Sequence, residues 1–275
     1  MSFEVRFWGV RGSIACASSQ YTAYGGNTSC IEVRIDDRVI VLDAGTGIRE
    51  LGKKLLADNI SSATLMFTHT HWDHINGFPF FGPAFNANSH FSIHAGHLSD
   101  LGGIENVLAN QMANPTFPVP LEAMQAELDF VDFHAGEAWE LYPGVKLITQ
   151  PLNHPNGATG YRIEHGGKSL CYVTDTEHIV GMPDQTVLSL IEGADLVIYD
   201  SMYTDEEFPA KIGWGHSTWE EGIRLCKLAG VKQLAIFHHD PAHNDDFMRD
   251  VEHKAREMWD GALVSREHMI LTPGQ

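Results

Sequence analysis

The chain has 275 residues, and its 18 Lys and Arg stand against 36 Asp and Glu, a formal charge of −18 with its 16 His counted as neutral. That balance excludes a protein built to track a nucleic-acid backbone, which needs clustered basic side chains, and one that docks on anionic membranes. A hydrophobic share of 43% excludes a disordered chain, while the excess of Asp, Glu and His supplies the ligand types that hard and borderline metals take.

In chain order, β-branched runs at 3–8, 30–35 and 39–42 predict strands, with Asp36-Asp37 turning a hairpin between the last two. Residues 47–58 predict a helix, because Ile48, Leu51 and Leu55 recur three and four apart. A strand at 63–67 ends directly at a dense His and Asp cluster. Residues 77–135, rich in Phe, Pro and Asn, read as an irregular insert that walls a pocket, with one helix at 121–128. Strands follow at 145–149, 160–164, 169–174, 196–199 and 233–237, and helices at 186–192, 217–229 and 245–259. Ser217 and Glu220 form a Ser-x-x-Glu capping box, and Trp219, Ile223 and Cys226 share one face of the helix they open. Two runs of strands, each interleaved with helices, fit a single α/β domain over 1–275, an αββα sandwich of two β-sheets flanked by helices. Cys16, Cys30, Cys171 and Cys226 form no metal-type pair and read as reduced core thiols. No apolar run nears the roughly 20 residues a membrane span needs, and no signal-peptide core opens the chain. The expectation is a cytoplasmic protein with no membrane partner.

The chemistry concentrates in Thr68-His69-Thr70-His71-Trp72-Asp73-His74. His69 and His71, two apart in extended backbone, point to one side, and Asp73 and His74 follow after a turn. Three imidazoles and a carboxylate packed this tightly cannot all be buried without partners, because each polar atom would lose its water. A metal resolves that. Four ligands do not complete two metal sites, and further ligand types stand at later strand ends: His154, Asp175 and His238, with His239 as a rival to His238.

These residues carry a resemblance. THTHWDH at 68–74 is similar to the HxHxDH signature of the metallo-β-lactamase superfamily, and His154, Asp175 and His238 follow in that superfamily's order. FWGVRGSIA at 7–15, YGGNTSC at 24–30, LDAGTG at 42–47, NHP at 153–155, TDT at 174–176, GHST at 215–218 and FHHDP at 237–241 extend the match over nearly the whole chain. They resemble most the phosphodiesterase-like branch, which holds ribonuclease Z, the phosphoribosyl cyclic phosphodiesterases and some cyclic-nucleotide phosphodiesterases. The resemblance implies two stacked sheets with a dinuclear centre at one edge. His69, His71 and His154 would hold one divalent metal, Asp73, His74 and His238 a second, and Asp175 would bridge them, the metals being Zn, Mn or Fe. A hydroxide shared by the two metals would be the nucleophile, Asp73 a proton acceptor, and His216 of GHST the donor to the leaving group.

The implied activity is hydrolysis of a small phosphodiester such as a cyclic nucleotide, since a chain at −18 suits a substrate held by metals rather than a nucleic-acid polymer held by a basic groove. A thioester, lactone or β-lactam hydrolase on the same centre is the alternative, ahead of a ribonuclease or a non-catalytic metal-binding module. Asn27, Phe117 and Tyr203 are candidate substrate contacts, and Asp43 a candidate for orienting a ligand His. The Phe/Pro-rich stretch at 78–120 is read as a lid or a homodimer contact.

Overall fold

In the computed structural model, which describes residues 2–98 and 101–275, two seven-stranded mixed sheets pack face to face. The first contains β1 (Phe3–Gly9), β2 (Cys30–Ile35), β3 (Arg38–Leu42), β4 (Ser62–Phe67), β5 (His90–Ala95) and β6 (Glu127–Asp132), side by side in that order. The second contains β7 (Ala138–Tyr142), β8 (Val145–Leu152), β9 (Ala158–His165), β10 (Lys168–Val173), β11 (Leu196–Asp200), β12 (Leu234–Phe237) and β13 (Ala262–Val264), also in sequence order. A last short strand, β14 (Ile270–Leu271), returns to pair with β1 in the first sheet. The helices are α1 (Ile48–Ala57), α2 (Trp72–Ile75), α3 (Gly103–Gln111), α4 (Gln185–Ile191), α5 (Trp219–Leu228) and α6 (Asp245–Met258).

Strand periodicity builds the layers. In β3, Ile40 and Leu42 face the other sheet and join Phe7, Val33, Leu147, Ile163, Tyr172 and Ile198 in the central core. Val39 and Val41 point the opposite way, onto Ile48, Leu51 and Leu55 of α1. The second sheet repeats this: Leu170 and Tyr172 of β10 face inward, while Cys171 and Val173 lie under Val187, Leu190, Ile223 and Val251 from α4, α5 and α6. Strands buried on both faces read as unbroken apolar runs, which is why they were legible. Among the described residues no helix is long and apolar enough to cross a membrane.

Strand direction positions the site. β10, β11 and β12 are mutually parallel, and β8 runs with them because both β8 and β10 are antiparallel to β9. Their C-terminal ends therefore open at one edge, where loops supply functional groups.

The structure corrects four expectations. Residues 121–128 are not a helix: a single turn at Leu121–Ala123 gives way to β6, whose alternating Leu128 and Phe130 pack on the first outer core while the backbone pairs with β5. The segment 77–135 is more regular than its composition suggests, since it supplies β5, α3 and β6, and Phe78, Phe81 and Phe91 fill the core beneath them. Its residues 99 and 100 lie outside the described residues. The cap of α5 is Thr218, whose hydroxyl accepts from the Glu221 N–H at 3.1 Å. Ser217 is drawn away by Tyr199 and His178, at 3.0 and 2.8 Å from its hydroxyl. Three of the cysteines are buried and free as expected, but Cys16 is part-exposed.

His94 of β5 gives the fold an acid sensitivity. Burial holds its pKa down to about 4, against an ordinary 6.5, and its Nδ1 has no partner. The unfolded chain therefore takes up this proton first on acidification, so the stabilisation is full above pH 6.5 and fades as pH falls toward about 4. A shift of this size corresponds to roughly 3 kcal/mol at most. Urea melts of chelator-treated protein at pH 7 and pH 4.5 should show the loss, and His94→Gln should reduce it; an unchanged pH slope in the variant removes His94 as its source.

Candidate metal centre

The loops beyond β4, β8, β10 and β12 bring seven residues together in two groups of ligand atoms. His69, His71 and His154 form one, and Asp73, His74, Asp175 and His238 the other. In the first, His154 Nε2 lies 3.0 Å from His71 Nδ1. In the second, His238 Nε2 is 3.2 Å from each of His74 Nε2, Asp73 Oδ2 and Asp175 Oδ1, and His74 Nε2 is 3.4 and 3.5 Å from the same two oxygens. Four ligands at metal-bond length around a tetrahedral ion stand about 3.3 Å apart along each edge, so the side chains fit that shape. Asp175 joins the groups: Oδ1 faces His74 and His238, while Oδ2 faces His69 Nε2 at 3.6 Å and His154 Nε2 at 3.8 Å.

A cation also answers a polar accounting problem. His69 is buried, and its Nε2 has no hydrogen-bond partner. An orphaned buried nitrogen aimed at a shared carboxylate is costly unless an ion completes it. Protonation agrees. Burial, the largest influence, holds His69, His71 and His154 below the usual imidazole range, in the neutral form that binds metals. Burial works the same way on His74, but Asp73, Asp175 and Asp43 override it and raise that pKa well above normal. Burial likewise opposes charge on Asp73 and Asp175, and the surrounding imidazoles reverse this and hold both carboxyls well below their ordinary range.

Surrounding groups aim the ligands. His154 Nδ1 donates to the Gly215 carbonyl at 2.7 Å, which leaves Nε2 bare toward the cluster. Gly215 is required there: its φ is +85°, and a Cβ would come within 2.4 Å of His154 Nδ1. His74 Nδ1 donates to Asp43 Oδ2 at 2.8 Å. Asp43 also accepts from the Thr68 N–H at 2.8 Å and the Tyr172 hydroxyl at 2.9 Å, tying both sheets to this one carboxylate. Asp43→Asn should cost on the order of 10–100-fold in metal affinity, read by titrating chelator-stripped protein; unchanged affinity removes Asp43 from the site's support. Ser13 donates its N–H to Asp73 Oδ2 at 2.7 Å.

His216 lies beside the second group. Its ring stacks on His238 with centroids 5.1 Å apart, and Nδ1 donates to Asp200 Oδ2 at 3.1 Å. Burial would depress its pKa, but Asp200 and then Asp175 outweigh that and push it up to about 9. Asp200 is fixed in turn by the N–H groups of Thr176 and Met202, at 3.0 and 3.2 Å.

Of the sequence candidates, His69, His71, Asp73, His74, His154, Asp175, His238 and His216 converge. His239 does not join them: its Nε2 donates to the Ser265 carbonyl at 2.9 Å. Tyr203 comes close, its ring 6.0 Å from that of His216. Asn27 is spent on structure, with its carboxamide bonded to Thr46 and Glu267. Phe117 packs edge-on to Phe80 at 5.7 Å and on the first outer core. Sequence reasoning missed Tyr172, Ser13 and the Gly215 carbonyl. Thr68 was legible only as a neighbour of the His cluster; a backbone carbonyl carries no sequence signal.

Comparison with known proteins agrees with this fold. Residues 38–239 match the Beta-lactamase superfamily domain. Ribonuclease Z of Haloarcula marismortui is 22% identical over 97% of this chain and 95% of its own length. Other ribonuclease Z sequences match at 33–35% identity but only locally, over 24% or 27% of their length. The metallo-β-lactamase fold protein YhfI from Bacillus subtilis superposes with a TM-score of 0.73 at 18% identity, covering 98% of each chain. A diphosphatase of the PhnP family superposes at 0.70 and 18%, over 98% of this chain and 97% of that one. The chain belongs to the metallo-β-lactamase superfamily. Within that superfamily it is a metallo-hydrolase with His/Asp metal sites.

Proposed function

We propose that this chain is a dinuclear metal-dependent phosphodiesterase acting on a small phosphodiester, with cyclic nucleotides the first substrates to try. The observation that carries the reading is His216, an imidazole anchored by Asp200 with its Nδ1 3.7 Å from the shared Asp175.

His69, His71, His154 and Asp175 would hold one cation, and Asp73, His74, His238 and Asp175 the other. When bound, such a pair supplies Lewis-acid stabilisation of phosphoryl charge and a nucleophile available at neutral pH. Asp73 commits Oδ2 to the cluster and to Ser13, which leaves Oδ1 to accept a proton from the attacking water. His216 commits Nδ1 to Asp200, so Nε2 presents its proton toward the leaving oxygen. Asp200 also keeps the imidazole charged until that transfer. The chain's charge of −18 favours a substrate small enough to be held mainly at the cation pair.

The test is turnover of bis(p-nitrophenyl) phosphate by protein reconstituted with Zn, Mn or Fe(II), with and without chelator, followed by cyclic nucleotides, a lactone and a thioester. Chelator-sensitive phosphodiester cleavage is expected. Lactone or thioester turnover without phosphodiester cleavage overturns the reading.

A further inference from the structure

The loop that delivers His216 carries a feature the hydrolytic chemistry does not use. Trp214 stands two residues before His216 with 60% of its surface in solvent. Its backbone is held in place. The N–H groups of Gly213 and Gly215, on either side of Trp214, both donate to Glu177 Oε2 at 2.7 and 2.8 Å. Trp214 itself donates its backbone N–H to the Lys211 carbonyl at 3.1 Å. Glu177 is anchored in its turn to the loop of His154, by its own N–H to the Asn153 carbonyl at 2.8 Å and by the Asn153 carboxamide to its carbonyl at 2.7 Å. One carboxylate thus fixes the Trp214 backbone relative to a candidate metal ligand and to the proton donor.

The side chains continue the row. The Lys211 ammonium lies 4.5 Å from the Trp214 ring centroid and 5.3 Å from that of Tyr203, and Tyr203 in turn sits 6.0 Å from the His216 ring. Among the described residues Lys211 has no carboxylate partner. From His216 outward, the order is imidazole, phenol, ammonium, indole. A cation followed by an exposed aromatic plane is a recognition surface for a group that is both anionic and flat. It lies on the side of the site where His216 would protonate the departing oxygen.

We propose that Trp214 and Lys211 form a platform for the leaving-group side of the substrate, Trp214 stacking on a nucleobase and Lys211 holding an adjacent anionic oxygen, with Glu177 as the positioning residue that braces it. This rests on the phosphodiesterase reading and narrows its substrate to a base-bearing phosphate ester.

The experiment compares binding of adenosine 5′-monophosphate and ribose 5-phosphate to metal-loaded protein by calorimetry, with metal content measured for every sample. The two ligands share the phosphate and sugar and differ by the base. Wild type should bind the nucleotide on the order of 10-fold tighter or more, in line with the usual worth of one base–aromatic stack. Trp214→Ala should erase that preference, Trp214→Phe should retain most of it, and Lys211→Met should weaken both ligands. Glu177→Gln should reduce the preference with metal content unchanged. Equal affinity of wild type for the two ligands, or a preference that survives in Trp214→Ala, overturns the platform. Because binding is measured without turnover, failure of the parent reading shows separately, as absent bis(p-nitrophenyl) phosphate cleavage.

Discussion

His216→Ala protein should keep its full complement of metal and cleave an alkyl phosphodiester slower by on the order of 10²–10⁴, the usual worth of a positioned general acid. The metal content should hold because the two groups formed by the seven ligands are complete without His216, which lies with Asp175, Asp200 and His238 in a third, overlapping group. The rate falls because an alkoxide is a poor leaving group until it is protonated. The same variant loses far less on bis(p-nitrophenyl) phosphate, whose nitrophenolate departs without a proton. Asp200→Asn should show the same dependence on leaving group in milder form, since it releases the Nδ1 contact that orients and charges the ring. Kinetics on the two esters beside metal analysis decide it. Equal losses on both esters, or none on the alkyl ester, remove His216 from the donor role.

Asp175→Asn has the larger effect on loading. Each of the two carboxylate oxygens faces a different ligand group, so the substitution removes a ligand charge from both at once. An amide can present one oxygen to one cation but sets its NH₂ against the other. Metal content should fall from two ions to one or fewer per chain, and activity should drop well beyond the 10–100-fold expected for a change outside the ligand shell. Elemental analysis with steady-state kinetics reads both. A variant that retains two tightly held ions shows that Asp175 does not bridge.

Much of the architecture was legible because strands buried on both faces leave continuous apolar runs, as in residues 39–42 and 196–199. The amphipathic α1 and α6 were legible through their spacing. The elements that escaped have weak patterns of their own. β6 is exposed at four of its six positions, β13 and β14 contain three and two residues, and β5 carries polar Ser92 and His94. They exist by pairing with a neighbour already in place. The candidate ligands were legible for a different reason: His and Asp at strand ends have few other uses in such density. What orients them was partly hidden. Asp43 and Asp200 could be suspected as strand-end acids, but nothing in the sequence brings Tyr172 of the second sheet to Asp43 of the first. The capping residue of α5 moved by one because Ser217 and Thr218 are chemically interchangeable there, and only the demands of Tyr199 and His178 on Ser217 separate them.

The ligand groups draw on both sheets. His69, His71, Asp73 and His74 follow β4, whereas His154, Asp175 and His238 follow β8, β10 and β12. Neither half of the chain can assemble a full coordination shell alone. Loading energy is therefore spent across the seam between the halves and acts as a rivet through the sandwich. Stripping the ions should loosen that seam before either sheet frays. The same edge that prepares the chemistry then also sets how cooperatively the two halves of the molecule unfold.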